Sequence, residues 1–373
     1  MIIGIDGNEA NVSRKVGVSV YTYELICGFK KIANKDLQFN IYLRNNPLPD
    51  LPSENKYFRY QLVWGKFLWS QIFLPLNLFF KRQTDVFFSP AHYVPRYYSK
   101  PLIVTIHDLS YFYYPDEFLK KDLYKLQNWT KHALLKAKKI IAVSKATKKD
   151  IVKFYKIPDD RIEVIYNGYQ KTQISNAESQ MSKKNGSTEI KNFNLIKKYI
   201  LFVGTLQPRK NIITLIKAFK KFYASHQEFK LIIAGRKGWL YDEIYDQVNQ
   251  IGLKNEVIFT DYISDKELIE LYKKAFCFIM PSFYEGFGIP ILEAMSFNCP
   301  VIASFASSLP EIGGDACLYF NPNDENDLLD KINNLLENES LRNELINKGK
   351  ERIKLFSWKS CVEKTLAVIQ SAY

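Results

Sequence analysis

The sequence predicts an α/β protein made of two doubly wound, parallel-sheet domains. Short apolar runs alternate with longer segments of helical periodicity along most of the chain, a pattern typical of parallel sheets. The alternation stops at a polar stretch between residues 170 and 195 and then restarts, which indicates a linker or surface insertion between two domains. A chain of 373 residues is also too long for one typical core.

The first half of the chain contains six predicted strands. The run IIGID forms the first strand, and a helix follows from about Val16. The later strands are predicted from the apolar runs FNIYL, VFFS, LIVTI, IIAV and EVIY. These elements predict an amino-terminal domain over residues 1–168, followed by a polar segment over residues 169–198.

The second half repeats the same alternation. Its predicted strands are YILFVG, KLIIAG, EVIFT, CFIM, PVIAS and CLYF, each separated from the next by a helical segment or a turn. Between CFIM and PVIAS, Pro290 suits the first turn of a helix. We therefore predict a carboxy-terminal domain over residues 199–357.

The composition excludes several classes of protein. With 47% hydrophobic and 24% charged residues, the chain is typical of globular proteins. Its five cysteines are odd in number, widely spread and without metal-binding spacing, which indicates reduced packing residues. The longest apolar patch covers residues 67–80, whereas a membrane-spanning helix needs about 20 residues, and no signal-peptide pattern is visible. These features predict a cytoplasmic protein.

The net charge of +13 is unevenly distributed. Residues 1–167 contain 26 Lys and Arg against 15 Asp and Glu, and residues 120–156 alone contain 12 lysines. One interpretation is a set of solvated helix faces. A second is a surface that binds an anionic membrane, which would place the protein on the inner face of the plasma membrane. Binding of nucleic acid is a third, but no stacking signature accompanies the lysines, and we expect no nucleic acid partner.

Polar side chains and glycines interrupt the apolar pattern directly after the predicted strands. Because ligands of doubly wound sheets bind at the carboxyl ends of the strands, this shared position predicts one cleft. The residues concerned are Gly17, His107, Asp108, Gly204, Arg209, Lys210, Gly235, Arg236, Asp261, Tyr262 and Glu285.

Arg209 and Lys210 are placed at a predicted helix start, where the helix dipole makes cations mildly unfavourable. One interpretation is that both point into water. The other is that they hold an anion such as a diphosphate, together with N–H groups near Gly288.

Glu285 and Glu293 carry negative charge and would repel phosphate, but they can accept hydrogen bonds from hydroxyl groups. Their spacing therefore suits a ribose at one end of a diphosphate and a sugar at the other. The alternative is a capping role in the first turn of a helix.

These residues carry a resemblance to a known family. The stretch PSFYEGFGIPILEAMSFNCPVIAS resembles the Glu-x7-Glu signature of the retaining, GT-B fold glycosyltransferases of family 4. VGTLQPRKN, IHDL, VIYNG and FSW resemble further landmarks of that family, in the same order. The resemblance implies two Rossmann-like domains facing a cleft, with the donor bound mainly by the second and the acceptor by the first. It also implies a helix at about residues 358–373 that returns to the first domain.

The resemblance assigns roles to residues by position. Glu293 would bind the ribose, Glu285 a hydroxyl of the donor sugar, and Arg209 and Lys210 the leaving diphosphate. His107 would contact the sugar's distal hydroxyl and place its carbonyl near the anomeric carbon. The remaining residues expected to bind the donor are Gly17, Gly204, Thr205, Arg236, Tyr262, Gly286, Phe287, Gly288, Ile289 and Leu292. Many relatives have arginine where this chain has Thr205, which shifts neutralisation of the phosphates onto Arg209 and Lys210.

The resemblance implies a retaining enzyme that transfers a hexose from a nucleotide sugar to a glycan or lipid-linked acceptor. No Asp-x-Asp motif is present, so we expect neither a metal nor another cofactor. Overall likeness to bacterial mannosyltransferases of surface polysaccharide assembly favours GDP-mannose, while UDP-sugars remain an alternative. The same residues are compatible with a sugar 2-epimerase of this fold and with a non-catalytic partner subunit. His92 is a candidate for the acceptor side.

Overall fold

The structure is a computed structural model that describes residues 1–65, 68–81, 83–169, 196–261 and 263–373. Contacts divide the chain into two compact units. The first contains Met1–Gly168 together with Phe356–Tyr373, and the second contains Tyr169–Leu355. Most of the polar segment predicted over residues 169–198 lies outside the described residues.

The first unit is built on a seven-stranded parallel sheet. The strand order is β3-β2-β1-β4-β5-β6-β7, so the order reverses direction between β1 and β4, as in doubly wound sheets. The strands are β1 Ile2–Asp6, β2 Gln38–Leu43, β3 Phe58–Leu62, β4 Val86–Ser89, β5 Leu102–Ile106, β6 Lys139–Ala142 and β7 Ile162–Val164. The helices up to this point are α1 Val18–Ile32, α2 Leu74–Lys81, α3 Lys120–Lys136 and α4 Lys145–Tyr155.

Strand β3 is absent from the sequence prediction. It is the edge strand, and only Phe58 of its five residues is buried. Its sequence FRYQL therefore lacks the continuous apolar run that marks a strand covered on both faces. By contrast, β4 and β5 are buried at every position, and both are among the predicted strands.

The second unit is built on a six-stranded parallel sheet of order β10-β9-β8-β11-β12-β13. The strands are β8 Lys198–Val203, β9 Phe229–Ala234, β10 Val257–Phe259, β11 Cys277–Met280, β12 Val301–Ser304 and β13 Cys317–Phe320. The helices are α5 Ile212–Tyr223, α6 Asp242–Gln250, α7 Asp265–Lys274, α8 Ile289–Ser296, α9 Leu309–Gly313, α10 Glu325–Glu337 and α11 Glu339–Arg352. The predicted class, two doubly wound parallel α/β domains, is confirmed.

The last helix, α12 Trp358–Ala372, belongs to the first unit and packs on α1. Gly28 of α1 allows this contact, because a Cβ atom at this position would lie 2.3 Å from Val362 Cγ2. Val362 and Ile369 of α12 are buried in the same core as Ile3 and Leu25. The chain thus returns to the first unit after completing the second.

No helix among the described residues combines the length and the apolar character needed to cross a membrane. All five cysteines are free, and only Cys27 is not fully buried.

Candidate functional site

The loop between β11 and α8 positions Glu285. The loop ends at Gly288, which has φ 106° and ψ 46°. A Cβ atom there would also lie 2.9 Å from Leu309 Cδ2, but it is the backbone conformation that favours glycine. Helix α8 then begins at Ile289 with Pro290 in its first turn, as the sequence predicts.

The carboxylate of Glu285 lies in a cluster with two cations. Lys210 Nζ donates to Glu285 Oε1, and Arg209 Nη1 lies 3.7 Å from Glu285 Oε2. Ser282 Oγ also donates to Glu285 Oε1, at 2.7 Å. Burial alone would raise the pKa of Glu285, but Lys210, Arg209 and Ser282 together hold it below the ordinary glutamate value. Glu285 is therefore ionised at neutral pH.

The structure corrects the expected surroundings of Arg209 and Lys210. Their side chains are only 17% and 14% exposed, so the interpretation that both point into water is wrong. They lie in a 3-10 turn, Pro208–Lys210, rather than in α5, which starts at Ile212 after Asn211 in the left-handed conformation. Arg209 Nη1 also donates to the carbonyl of Tyr284 at 3.2 Å. The anion that compensates both cations in this structure is a protein carboxylate from the loop after β11.

Asn211 fixes this turn against the loop that follows β11. Its Nδ2 donates to the carbonyls of Pro281 at 3.1 Å and Pro322 at 2.7 Å, and the residue is only 4% exposed. The backbone N–H of Phe283 donates to the Arg209 carbonyl at 2.9 Å. The sequence prediction missed Asn211, although asparagine between a basic pair and a helix is a recognisable signal for a left-handed residue.

Two serines after β12 hold the Glu285 loop from the other side. Ser307 Oγ accepts from the backbone N–H of Glu285 at 2.9 Å. Ser308 Oγ contacts the carbonyls of Glu285 and Phe287 at 2.8 and 2.9 Å. These contacts supply hydrogen-bond partners to main-chain atoms of the loop. Sequence reasoning missed both serines, although they follow a strand end like the residues that it selected.

Glu293 has different surroundings. It is the fifth residue of α8 and so lies beyond the first turn, which excludes the alternative of a capping role there. Its Oε2 accepts from the hydroxyl of Tyr272, a fully buried residue of α7, at 2.9 Å. Burial raises the pKa of Glu293 to about 7, Tyr272 opposes that rise and Asp265 adds to it. Near neutral pH the carboxyl group therefore exchanges a proton, and Tyr272 is a further residue missed by the sequence prediction.

The ends of β8 and β9 approach each other closely in the same sheet. The N–H of Gly204 donates to the Ala234 carbonyl at 2.9 Å. A Cβ atom at Gly235 would lie 1.8 Å from the Gly204 carbonyl oxygen, so only glycine fits there. Thr205 is half-buried and Arg236 is exposed.

The remaining residues predicted to bind the donor divide by burial. Leu292 is fully buried, so its side chain packs in the core, and its predicted role in donor binding stays a prediction. Phe287 is 5% exposed, whereas Gly286 and Ile289 are half-buried. Tyr262 lies outside the described residues.

Gly17 belongs to the first unit. It precedes α1 with φ 53° and ψ −113° and is exposed, and a Cβ atom there would meet nothing within 4 Å. It is therefore the backbone conformation, not crowding, that favours glycine. The helix it precedes has no acidic residue in its first turn and no side-chain cap.

His107, also of the first unit, follows β5 and is 9% exposed. One ring nitrogen, Nε2, lies 2.7 Å from the Pro90 carbonyl, a geometry that assigns the proton to Nε2. Burial and the neighbouring His92 lower the pKa of His107 to about 4, so the imidazole is neutral. Its main-chain carbonyl accepts from Thr147 Oγ1 at 3.3 Å. The roles predicted for Gly17, His107 and His92 stay predictions.

The second unit thus combines a cluster of two cations and one carboxylate with a second carboxyl group that titrates near neutral pH. The cluster retains one net positive charge and suits a polyanion, while Glu293 suits hydroxyl groups when it is ionised. Within the described ranges, no group of three His, Cys, Asp or Glu is arranged to hold a metal ion.

Comparisons with known proteins identify the family and the fold of the chain. The family described as Glycosyl transferases group 1 matches residues 184–352, and the family described as Glycosyltransferase Family 4 matches residues 17–172. The chain is 32% identical to O-antigen chain mannosyltransferase B of Escherichia coli over 75% of this chain and 73% of that protein. It is 34% identical to O-antigen chain mannosyltransferase RfbU of Salmonella typhimurium over 62% of this chain and 60% of that protein.

A solved structure shows the same fold over almost the whole length. The sucrose-phosphate synthase of Thermosynechococcus elongatus aligns with a TM-score of 0.75 at 17% identity, over 99% of this chain and 98% of that chain.

Proposed function

The chain belongs to the family 4, or group 1, glycosyltransferases, and on that premise we propose that it transfers mannose from GDP-mannose to a glycan or lipid-linked acceptor. The relatives from Escherichia coli and Salmonella typhimurium, both called O-antigen chain mannosyltransferases, support the choice of mannose and of surface polysaccharide as the product. The observation that carries the proposal is the cluster of Lys210, Arg209 and Glu285.

The two cations of this cluster would neutralise the diphosphate. As the bond between the sugar and the diphosphate breaks, negative charge develops on the leaving group and must be stabilised where it develops. Contacts with Glu285 and the Tyr284 carbonyl hold Arg209 and Lys210 in place, so their charges are oriented before any ligand arrives. An ammonium group carries three donors, so pairing with Glu285 is compatible with binding a phosphate oxygen. We therefore propose catalysis without a metal ion, with retention of configuration as the family resemblance implies.

Glu293 would bind the ribose. An ionised carboxylate accepts hydrogen bonds from two neighbouring hydroxyl groups, whereas the protonated form has lost part of that capacity. Because the pKa of Glu293 is about 7, nucleotide binding should strengthen as the pH rises through that value. Glu285, ionised throughout this range, would accept from a hydroxyl of the donor sugar.

The choice of donor is tested by thermal shift and transfer assays with GDP-mannose, UDP-glucose, UDP-GlcNAc and UDP-galactose. A ligand that binds only the native state raises the melting temperature by mass action. We expect the largest rise with GDP-mannose, and mannose transfer to a polysaccharide acceptor with that donor alone. A larger rise and transfer with a UDP-sugar would overturn the proposed donor, and product without an acceptor would indicate an epimerase.

We also propose that the lysines of residues 120–156 face an anionic membrane at the cytoplasmic side. Nine of these 12 lysines are exposed, while Lys125, Lys139 and Lys148 are less exposed and pair with Asp122, Glu163 and Asp159. Each basic residue near an anionic bilayer contributes about 1 kcal/mol, and the attraction is screened by salt. Co-sedimentation with anionic vesicles should therefore fall as salt rises, and equal binding to neutral and anionic vesicles would contradict this role.

A further inference from the structure

A cluster of exposed hydrophobic side chains lies between residues 64 and 80 of the first unit. Trp64 is 73% exposed, Phe79 62% and Phe80 78%, and four more large apolar residues of this segment are also exposed. Single exposed apolar residues are common, but seven within 17 positions are not. We call this set the apolar patch. It consists of Trp64, Leu68, Ile72, Phe73, Leu76, Phe79 and Phe80.

The fold fixes which face of this segment points outward. A π-helical turn, Trp69–Phe73, leads directly into α2. Trp69, Leu74 and Leu78 are buried in the core of the first unit, and Trp69 Nε1 donates to the Val63 carbonyl at 2.7 Å. The helix therefore cannot rotate to bury its other side.

The outward side of α2 is as apolar as its buried side. Ile72, Leu76, Phe79 and Phe80 recur at the spacing of one helical face, and Lys81 ends the helix. A surface helix of a globular domain usually presents charged and polar residues to water. The exposed face of α2 has the opposite character, which indicates that an apolar phase covers it.

The charges along the sequence of this segment indicate what that phase is. Residues 55–84 include five basic residues and no acidic residue. The segment thus combines an apolar face with basic residues and contains no acidic residue that would offset their charge. A second copy of this chain would bring the same positive segment, and its net charge of +13 opposes close association. An anionic lipid surface supplies both an apolar layer and negative head groups in one plane.

We propose that the apolar patch inserts into the interfacial layer of an anionic lipid bilayer. This surface differs from the lysines of residues 120–156, because insertion buries apolar area and so resists salt, whereas attraction to lysines is screened by salt. Trp, Phe and Leu are the residue types that favour the boundary between head groups and acyl chains. Insertion requires no nucleotide sugar, so this inference stands or fails independently of the proposed reaction.

The test is co-sedimentation of the full chain with vesicles of phosphatidylglycerol and phosphatidylcholine in equal parts, at low salt and at about 1 M salt, where the Debye length is about 3 Å. The variant Leu76→Ser/Phe79→Ser/Phe80→Ser should lower the partition coefficient roughly 100-fold, because each removed side chain buries apolar area in the bilayer. Part of the wild-type binding should survive high salt, and that part should be lost in the variant.

The matched control is Leu240→Ser/Phe305→Ser/Leu355→Ser, which removes three exposed apolar side chains from the second unit. It should bind vesicles like the wild type. Circular dichroism melts should show that the patch variant remains folded, since it keeps the buried residues beneath the patch. Unchanged vesicle binding by the patch variant would overturn the proposal. The proposal would also be overturned if the wild type did not bind vesicles but formed a dimer in ultracentrifugation and the patch variant remained a monomer.

Discussion

Glu285 and Glu293 lie eight positions apart on either side of one glycine turn, and their surroundings shift their pKa values in opposite directions. Both are withdrawn from water, which alone raises the pKa of a carboxyl group. Lys210 and Arg209 more than offset the burial of Glu285, whereas the Tyr272 hydroxyl offsets the burial of Glu293 only in part. Two glutamates of one motif are thus a permanent anion and a titrating group.

Removing Lys210 should have the largest effect. Lys210→Ala should lower the turnover rate roughly 100- to 1,000-fold, since it removes a preorganised charge at the leaving group. Because Lys210 is only 14% exposed and pairs with Glu285, the variant should also lose about 1–3 kcal/mol of unfolding free energy. An exposed lysine at a helix start would instead leave the stability almost unchanged. Initial rates and melting temperatures check both effects.

Two controls accompany this variant. The double variant Lys210→Ala/Glu285→Gln should recover part of the stability, because the buried carboxylate that has lost one of its two cations is gone. Wild-type transfer should survive EDTA. Loss of activity in EDTA that Mg²⁺ or Mn²⁺ restores would show that a metal ion does what we assign to Lys210.

Glu285→Gln should separate transfer from nucleotide binding. We expect transfer to fall by about 100-fold, as for the loss of a group that acts on the reacting sugar, while the affinity for GDP changes less than about threefold. The lowered pKa of Glu285 stabilises the fold above the ordinary glutamate pKa, and this contribution is lost as the pH falls. The variant should therefore melt below the wild type at neutral pH, and the difference should vanish at acidic pH. Equal losses of GDP affinity in Glu285→Gln and Glu293→Gln would contradict the two assignments.

Glu293→Gln should change stability in the other direction. A folded-state pKa raised to about 7 costs stability once the pH exceeds the unfolded value, and the full cost is reached above pH 7. We expect the variant to be more stable than the wild type at about pH 8 by about 3 kcal/mol and nearly equal to it near about pH 4. At about pH 8, the variant should bind GDP about tenfold more weakly than the wild type does. Melting curves over this pH range test the stability difference, and calorimetry with GDP tests the affinity. A variant that is less stable than the wild type at high pH would contradict the raised pKa of Glu293.

Tyr272→Phe should have the smallest effect of these substitutions. The hydroxyl of Tyr272 stabilises the ionised form of Glu293, so its removal should raise the pKa of Glu293 further. The pH at which GDP binding is half-maximal should therefore rise with the pKa of Glu293, while the turnover rate at saturating donor changes little. A weaker GDP affinity with an unchanged midpoint would show that Tyr272 has only a packing role.

Local patterns were sufficient for the predicted fold class. The buried strands β4, β5 and β11 are continuous apolar runs, and Gly288 with Pro290 marks the start of α8. Each of these signals lies within a few residues of the element that it predicts. Strand β3 carries no such signal, because one face of an edge strand meets water.

Sequence patterns alone were enough to predict the two α/β domains, the family, and the polar residues that follow the strands. The ionisation state of each charged group followed from the folded structure. Lys210 and Glu285 are 75 positions apart, as are Arg209 and Tyr284, and Tyr272 reaches Glu293 from another helix. A pKa depends on burial and on charges within several Å, and those neighbours come from distant parts of the chain. For the same reason, the outward direction of Leu76, Phe79 and Phe80 followed only from the packing of Trp69, Leu74 and Leu78 beneath them.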